Sequence, residues 1–533
     1  MSTPPSPSYV ATAAVVAAVV TCYRFGVSPA VRALARHPTP LAVSAALAVS
    51  APLALLPSPP PGPLRWFVVS VLALLTWRGV TSDYDVTLPI GPQRRDKLVL
   101  LFLAVASCLW APAMLAWFAV YCGRLRGWQH HGMMPVRLLK AYLAWFVVTA
   151  VLAPPPSDST AGLVLVLGCV SLSHYVKPAW SKARLGPRPW SWAWHNRTHY
   201  LMASAYSWGW ARFLPSRAVS RLLRRGAGID RPINLLTMIV ESAGLVAFLD
   251  RRLLIATLVA TALFNLVVAL ASGILFWENI AANIGLATAL GLHSSTGSDT
   301  AFGWPAALVA LTVILLSAAD LLWQPWHLGW WDSPFTARIH WQVETVSGAT
   351  RGLYNDYMCP YEREFGRVEG YFLSGEPVLH GHLGIVWDRR LRDLLVEAGG
   401  APDQLHQLKQ TYGRTHRDEE RSAEHVAFLT AMFTRLNAGT RKSPLPRWLR
   451  RLKAPGGQLY RWGDLPAYRG EEPVRRITIR YVERCYLPQT GDFVTLADHV
   501  AREIDLGAPM TDQEDNTSCA RSSSTAAPTS ESC

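Results

Sequence analysis

The stretch Ala161-Gly162-Leu163-Val164-Leu165-Val166-Leu167-Gly168-Cys169-Val170-Ser171-Leu172-Ser173-His174-Tyr175-Val176-Lys177 decides how the rest of the chain is read. Up to Ser173 it carries no charge and is apolar on every face of a 3.6-residue helix, the pattern of a helix surrounded by lipid or by other helices. A helix needs about 20 such residues to cross a bilayer. Further runs start near Tyr9, Leu41, Leu64, Leu98, Leu138, Ile233, Leu253, Trp277 and Trp304, so the sequence predicts about 8 to 10 transmembrane helices. The run from Leu98 to Cys122 is interrupted at Ala111-Pro112, which predicts half-helices or a re-entrant segment there.

Composition agrees with this reading. Of 533 residues 50% are hydrophobic and 17% charged, against roughly 25% charged in soluble domains. With 22 Trp and a mean hydropathy of +0.16, the chain is excluded from the disordered, collagen-like, coiled-coil and disulfide-rich secreted classes. Lys plus Arg number 51 against 37 Asp plus Glu, and the net charge of +14 is read as loops facing anionic lipid, with no nucleic-acid partner expected. The eight cysteines, Cys22, Cys108, Cys122, Cys169, Cys359, Cys485, Cys519 and Cys533, show no metal or redox spacing. The polar Ser/Pro start has no basic residue before the first apolar run, so that run is expected to be a retained helix and not a signal peptide.

The fold class expected is an all-α polytopic membrane domain followed by a smaller α+β soluble region. Its parts are N-terminal transmembrane helices over 1–97, a membrane core over 98–325, a soluble C-terminal region over 326–505 and a Ser/Thr-rich disordered tail over 506–533. In the soluble region, Ile477-Thr478-Ile479-Arg480-Tyr481-Val482 alternates as a strand, and His416 to Asn437 has helical spacing. Arg441, Lys442, Arg447, Arg450, Arg451 and Lys453 surround Trp448 and Leu449, a pattern suited to an anionic membrane surface or to a solvated basic loop.

Sidedness rests on the segment from Val176 to Pro232. It holds eleven basic residues, from Lys177 through Arg231, against the single acid Asp230, and is expected to face the cytoplasm of a multi-pass cell-membrane protein. Alternating outward from it places Asp250 outside, the turn at Trp277 inside, Ser294 to Thr300 outside and the C-terminal region in the cytoplasm. Arg251 and Arg252 fall against this assignment.

Ionisable residues at membrane depth are site candidates because they are expensive there. Glu241 follows Leu235-Leu236-Thr237-Met238-Ile239-Val240 and is expected mid-span, facing inward, where an unpaired charge costs about 2.5–3.5 kcal/mol. Glu278 and Asp320 lie nearer helix ends, within reach of water. From Tyr175 to Trp210 aromatics are dense: Tyr175, Trp180, Trp190, Trp192, Trp194, Tyr200, Tyr206, Trp208 and Trp210, with His174, His195 and His199 among them. Two readings stay open, an interfacial belt and an aromatic-walled cavity for a lipophilic or cationic ligand. His130-His131 and His380-Gly381-His382 lack ligand spacing and are read as surface histidines, so no metal site is expected.

Ser173-His174-Tyr175-Val176-Lys177-Pro178-Ala179-Trp180-Ser181-Lys182-Ala183-Arg184-Leu185, followed by Trp190, resembles the tyrosine-to-lysine segment of the vitamin K-dependent gamma-carboxylase superfamily, whose membrane part is the HTTM domain. The Glu241 helix, the turn at Arg251-Arg252, Leu263-Phe264-Asn265 through Gly273-Ile274-Leu275-Phe276, and Asn355-Asp356-Tyr357-Met358-Cys359-Pro360-Tyr361 are similar in order and spacing to bacterial members. The resemblance covers Leu98 to Phe365 and its motifs are degenerate. It implies that Lys182 is the base that deprotonates a reduced quinone, which oxygen then converts into a strongly basic alkoxide. A lysine in a low-dielectric pocket gives up its proton more easily, which makes that role physically reasonable. Lys177 and Lys182 read equally well as positive-inside anchors. Asn265 stands where the family carries a histidine, and an amide cannot exchange a proton as imidazole does.

Three functions follow. The first is a membrane enzyme acting on an isoprenoid or quinone-like substrate, with Lys182 and Glu241 catalytic and His174, Tyr175, Trp180 and Asn265 as substrate contacts. The second keeps the cavity but runs acid-initiated terpene cyclisation from Glu241 or Asp320 between aromatic walls. The third is a non-catalytic lipid-binding, transport or scaffold protein with a protein partner on its C-terminal region.

Overall fold

The computed structural model describes residues 7–55, 62–81, 94–123, 133–293, 299–354, 371–373, 375–379, 382–439, 451–456, 459 and 464–507. The first helix, α1 (Pro7–Thr21), passes through a π-helical turn at Cys22–Val27 into α2 (Ser28–Leu34). Then come α3 (Thr39–Ser50), α4 (Pro63–Thr81), α5 (Arg94–Leu109), α6 (Met114–Gly123), α7 (Met134–Leu152) and α8 (Pro156–Ala183). Above these lie α9 (Ser191–His195), α10 (His199–Ser207) and α11 (Ser216–Ser242), followed by α12 (Arg251–Ser272), α13 (Trp277–Leu292) and α14 (Trp304–Ala318). Among the described residues, five helical stretches are long and apolar enough to cross a membrane: Tyr9–Leu34, Pro63–Thr81, Met134–Leu152, Pro156–Ala183 and Arg251–Ser272. Three shorter apolar helices, Thr39–Leu53, Ala111–Gly123 and Trp304–Ala318, accompany them.

The uniform apolarity of α8 is explained by its place at the centre of the bundle. It packs on α1, α7, α11 and α14, and from Ala161 to Ala179 only His174 is not fully buried. Such packing needs small residues where backbones approach. A side chain at Gly168 would put its Cβ 2.6 Å from Cζ of Phe248.

Hydrogen bonds fix the two ends of the bundle. At one end Thr12 bonds Asp158 at 2.9 Å, Tyr9 bonds the carbonyl of Phe302 at 3.3 Å, and the amide of Gly303 bonds the carbonyl of Phe248 at 3.0 Å. At the other end Arg78 pairs with Glu278, and the amide of Leu459 bonds the carbonyl of Gly273 at 2.8 Å. Asp250 therefore lies at the end opposite Trp277, and the chain returns after α14 to the end that carries the basic segment. The Leu98 to Cys122 run does break, with Trp110 extended and a 3-10 turn at Ala111–Ala113 separating α5 from α6.

Five stretches of spanning length among the described residues are fewer than the about 8 to 10 spans expected: the runs starting near Leu41, Leu98, Trp277 and Trp304 form helices too short to count, and the run at Ile233 forms no span at all. The segment starting at Ile233 is not a membrane helix of its own but the last third of α11, whose exposed N-terminal part carries Arg217, Arg221, Arg224 and Arg225. The apolar run from Ile233 to Leu249 is divided, because the helix stops at Ser242 and 3-10 turns follow at Ala243–Leu245 and Ala247–Leu249. Gly244 lies against α8, where a Cβ would sit 2.9 Å from that of Leu172. Glu241 is thus near the helix C-terminus and not at mid-span.

After α14 the chain forms β1 (Trp331–Asp332), β2 (Phe335–Thr345), β3 (Thr350–Leu353), β4 (Ile385–Val386), α15 (Arg389–Ala398), α16 (Pro402–Tyr412), α17 (Glu419–Asn437), β5 (Val474–Leu487) and β6 (Asp492–Asp505). The main sheet is antiparallel in the order β3-β2-β5-β6, and β1 pairs with β4. Register places Ile339, Trp341 and Val343 opposite Tyr481, Ile479 and Ile477. These side chains share a core with Leu429, Met432 and Phe433 of α17, so the alternating strand and the helix read from sequence are the two layers of one core.

Candidate functional site

Tyr175 and Lys182 are seven residues apart on α8, two helical turns, and so project from one face. Lys182 Nζ donates to both oxygens of Glu241, at 2.7 and 2.8 Å. Its ammonium also stands 5.2 Å from the ring centroid of Trp192. The two side chains keep only 11% and 4% of their exposure, so the pair is withdrawn from water. This is an ammonium held by a carboxylate and an aromatic face, an arrangement in which each charge offsets the other's desolvation.

Two turns nearer the bundle centre, Tyr175 Oη accepts hydrogen bonds from Nδ2 of Asn265 at 2.6 Å and Nδ2 of Asn283 at 2.7 Å. Asn283 also donates to Thr261 at 3.0 Å and accepts from Ser171 at 2.5 Å. All five side chains are buried. The donor directions assign both amide orientations through the network they complete. A polar network of this kind, closed on itself in an apolar bundle, fixes how α8, α12 and α13 meet.

The adjacent face of α8 carries His174, Lys177 and Ser181. Arg137 of α7 bonds Nε2 of His174 at 2.9 Å while Nδ1 faces the carbonyl of Val170 at 2.7 Å. Arginine is only a donor, so this imidazole is the neutral Nδ1–H tautomer. Lys177 pairs with Asp320 at 2.7 Å. Trp180 points elsewhere and is 51% exposed. The residues singled out from sequence therefore occupy separate places: Lys182 with Glu241, Tyr175 with Asn265, His174 with Arg137, and Trp180 on the outside.

The end of the bundle above Lys182 is joined to the C-terminal region by further buried polar contacts. Trp192 bonds the carbonyl of Trp330 at 2.8 Å. Asn196 both donates to Asp332 Oδ2, at 2.7 Å, and accepts from the Asp332 amide, at 2.9 Å. Asn234 of α11 bonds the carbonyls of Ala193 and Asn196, and His199 bonds Asp230 at 2.6 Å. Burial pushes the Asp332 carboxyl up to about 6, against hydrogen bonds from Asn196 and Trp330 that lower it.

The aromatic-rich segment divides between the two readings. Trp180, Trp190 and Trp194 are exposed, whereas Tyr175, Trp192, Tyr200, Tyr206 and Trp208 are buried. The buried faces of Trp192, Tyr206 and Trp208 meet the protein's own cations, Lys182, Arg212 and Arg338.

Reasoning from sequence missed Asn283, Thr261 and Ser171, because isolated amides and hydroxyls in apolar runs carry no spacing signal. It also missed Arg137 and Lys140, both buried in α7, although two charges inside an apolar run are a legible signal. Among the described residues no group of three or more His, Cys, Asp or Glu is placed to hold a metal ion. His130-His131, His380-Gly381, Asn355 to Tyr361, residues 441–450 of the cluster around Trp448, and the tail beyond residue 507 lie outside the described residues. The chain matches no protein-family model, no curated protein and no solved structure.

Proposed function

We propose that this chain is a multi-pass membrane enzyme that removes a proton from a lipophilic, isoprenoid or quinone-like substrate, with Lys182 and Glu241 as the proton-transfer pair. The observation that carries the reading is the two-point Lys182–Glu241 contact at 2.7 and 2.8 Å, out of water and beneath Trp192. Passing the ammonium proton to Glu241 leaves a neutral amine and a neutral acid, a state that low dielectric favours over two separated charges. The amine can then take a proton from an acidic substrate hydroxyl. Tyr175, clamped by Asn265 and Asn283, supplies a fixed polar wall on the same face. The side of the bundle carrying Lys177 to Arg231 and the C-terminal region is proposed to be cytoplasmic. Comparing lipid extracts from cells expressing wild type and Lys182→Ala by mass spectrometry tests the activity. A substrate that accumulates, or a product lost, in the variant is expected, and identical extracts remove Lys182 from any reaction.

A second reading is favoured by the contacts that run from this pair to Asp332. On this reading Lys182 and Glu241 are a strut that fixes the C-terminal region to the bundle, and the protein is a scaffold or carrier of a lipophilic molecule. It predicts that a double variant replacing both residues by apolar ones keeps the phenotype.

A further inference from the structure

Where α14 ends, the chain turns back over the last turn of α8. Asp320 adopts a left-handed conformation there, with φ of 64°, which aspartate tolerates better than most residues. Its carboxylate is anchored by Lys177 at 2.7 Å, and the same oxygen lies 3.4 Å from Nε2 of His327. The other imidazole nitrogen, Nδ1, lies 3.2 Å from Oγ of Ser181. Gly329 makes this juxtaposition possible, since any Cβ there would sit 2.9 Å from that of Ser181. Beside the cluster opens a groove of about 500 Å³ lined by Asp320, Gln324, Pro325, Trp326, His327 and Leu328.

We propose that Ser181, His327 and Asp320 form a second, nucleophilic site that cleaves carboxylic esters of amphipathic lipids. A hydroxyl, an imidazole and a carboxylate in series are recognised by geometry and roles and not by sequence order. The negative charge of Asp320 selects the tautomer with hydrogen on Nε2, which leaves the Nδ1 lone pair facing Ser181. The Ser181 hydroxyl now donates to the carbonyl of Lys177 at 2.9 Å, and a rotation about its Cβ–Oγ bond redirects the hydrogen to Nδ1. The contacts are longer than in an assembled site, as is common before substrate binds. In the reaction Oγ attacks the ester carbonyl as its proton passes to Nδ1. The intermediate expels an alkoxide that takes that proton, giving an alcohol and an acyl-serine. Water, deprotonated in turn by Nδ1, then releases the carboxylic acid and restores Ser181. The site is independent of Lys182 and Glu241.

The test uses the full chain in mild detergent with a long-chain alkyl fluorophosphonate, followed by peptide mass spectrometry. Wild type should be labelled on Ser181, and Ser181→Ala and His327→Ala should each lose labelling at least ten-fold at an unchanged melting temperature. Asp320 acts through His327, so Asp320→Asn should slow labelling and also move its pH profile. The groups facing His327 are Asp320, Ser181 and, through Asp320, Lys177, with Arg137 interacting with Asp320 at longer range. Hydrolysis of 4-nitrophenyl octanoate by wild type and not by Ser181→Ala is the expected companion result. Absence of labelling in wild type under conditions that label a control serine hydrolase, labelling at another residue, or equal labelling of Ser181→Ala overturns the proposal.

Discussion

Removing one member of the Lys182–Glu241 pair should be far more damaging than removing both. The contact is two-point, at 2.7 and 2.8 Å, and the side chains are almost wholly withdrawn from solvent. Breaking such a buried pair by one substitution costs about 3–5 kcal/mol, because the surviving charge has no partner and no water. Replacing both members by apolar residues of similar volume is often close to neutral. Lys182→Met and Glu241→Leu should therefore each lower the unfolding free energy in detergent by about 3–5 kcal/mol, while the double variant loses less than about 2 kcal/mol. The coupling energy in the cycle should then exceed about 4 kcal/mol in magnitude, above the range expected for an exposed pair. Unfolding followed by fluorescence, with Trp192 stacked over the ammonium, supplies the signal. Single variants that each lose under about 1 kcal/mol, with a double variant equal to their sum, would refute the account of this contact as a desolvated ion pair.

Asp332, whose carboxyl burial raises from 3.8 to about 6, binds its proton more tightly in the folded state. Folding stability from this group is full below pH 3.8 and is lost as pH rises towards 6, by about 3 kcal/mol in all, and Asp332→Asn should flatten that part of a stability–pH curve. Gly168→Ala forces a Cβ to within 2.6 Å of Phe248 and should cost about 1–3 kcal/mol, with Phe248→Leu restoring most of the loss in thermal denaturation. Asn283→Leu deprives Tyr175, Thr261 and Ser171 of a shared partner and should destabilise by about 1–3 kcal/mol, more than Tyr175→Phe in the same assay. Single cysteines replacing Ser347, in the β2–β3 turn of the C-terminal region, and Ser157, at the start of α8, should react with an impermeant reagent from opposite sides of a sealed membrane. Labelling of both from one side contradicts the arrangement of ends.

Much of the helical bundle was legible because burial of α8 on all sides demands an unbroken apolar run. The strand at Ile477 to Val482 and the helix ending at Asn437 were legible for the same reason, since one face of each supplies a single core. The segment from Ile233 misled because hydropathy counts residues along the chain and cannot register that Gly244 lets the backbone turn against Leu172.

The candidate site divides along the same line. Sequence alone determined that Tyr175 and Lys182 share a face of α8, because seven residues are two helical turns, and that Glu241 must find a partner. Only the tertiary structure decided that the partner is Lys182, 59 positions away, that Asn265 and Asn283 converge on one phenol oxygen, and that His327 lies beside Ser181. Local spacing fixes direction on a single helix, whereas contact between helices depends on where turns, glycines and the docking of the C-terminal region bring their faces together.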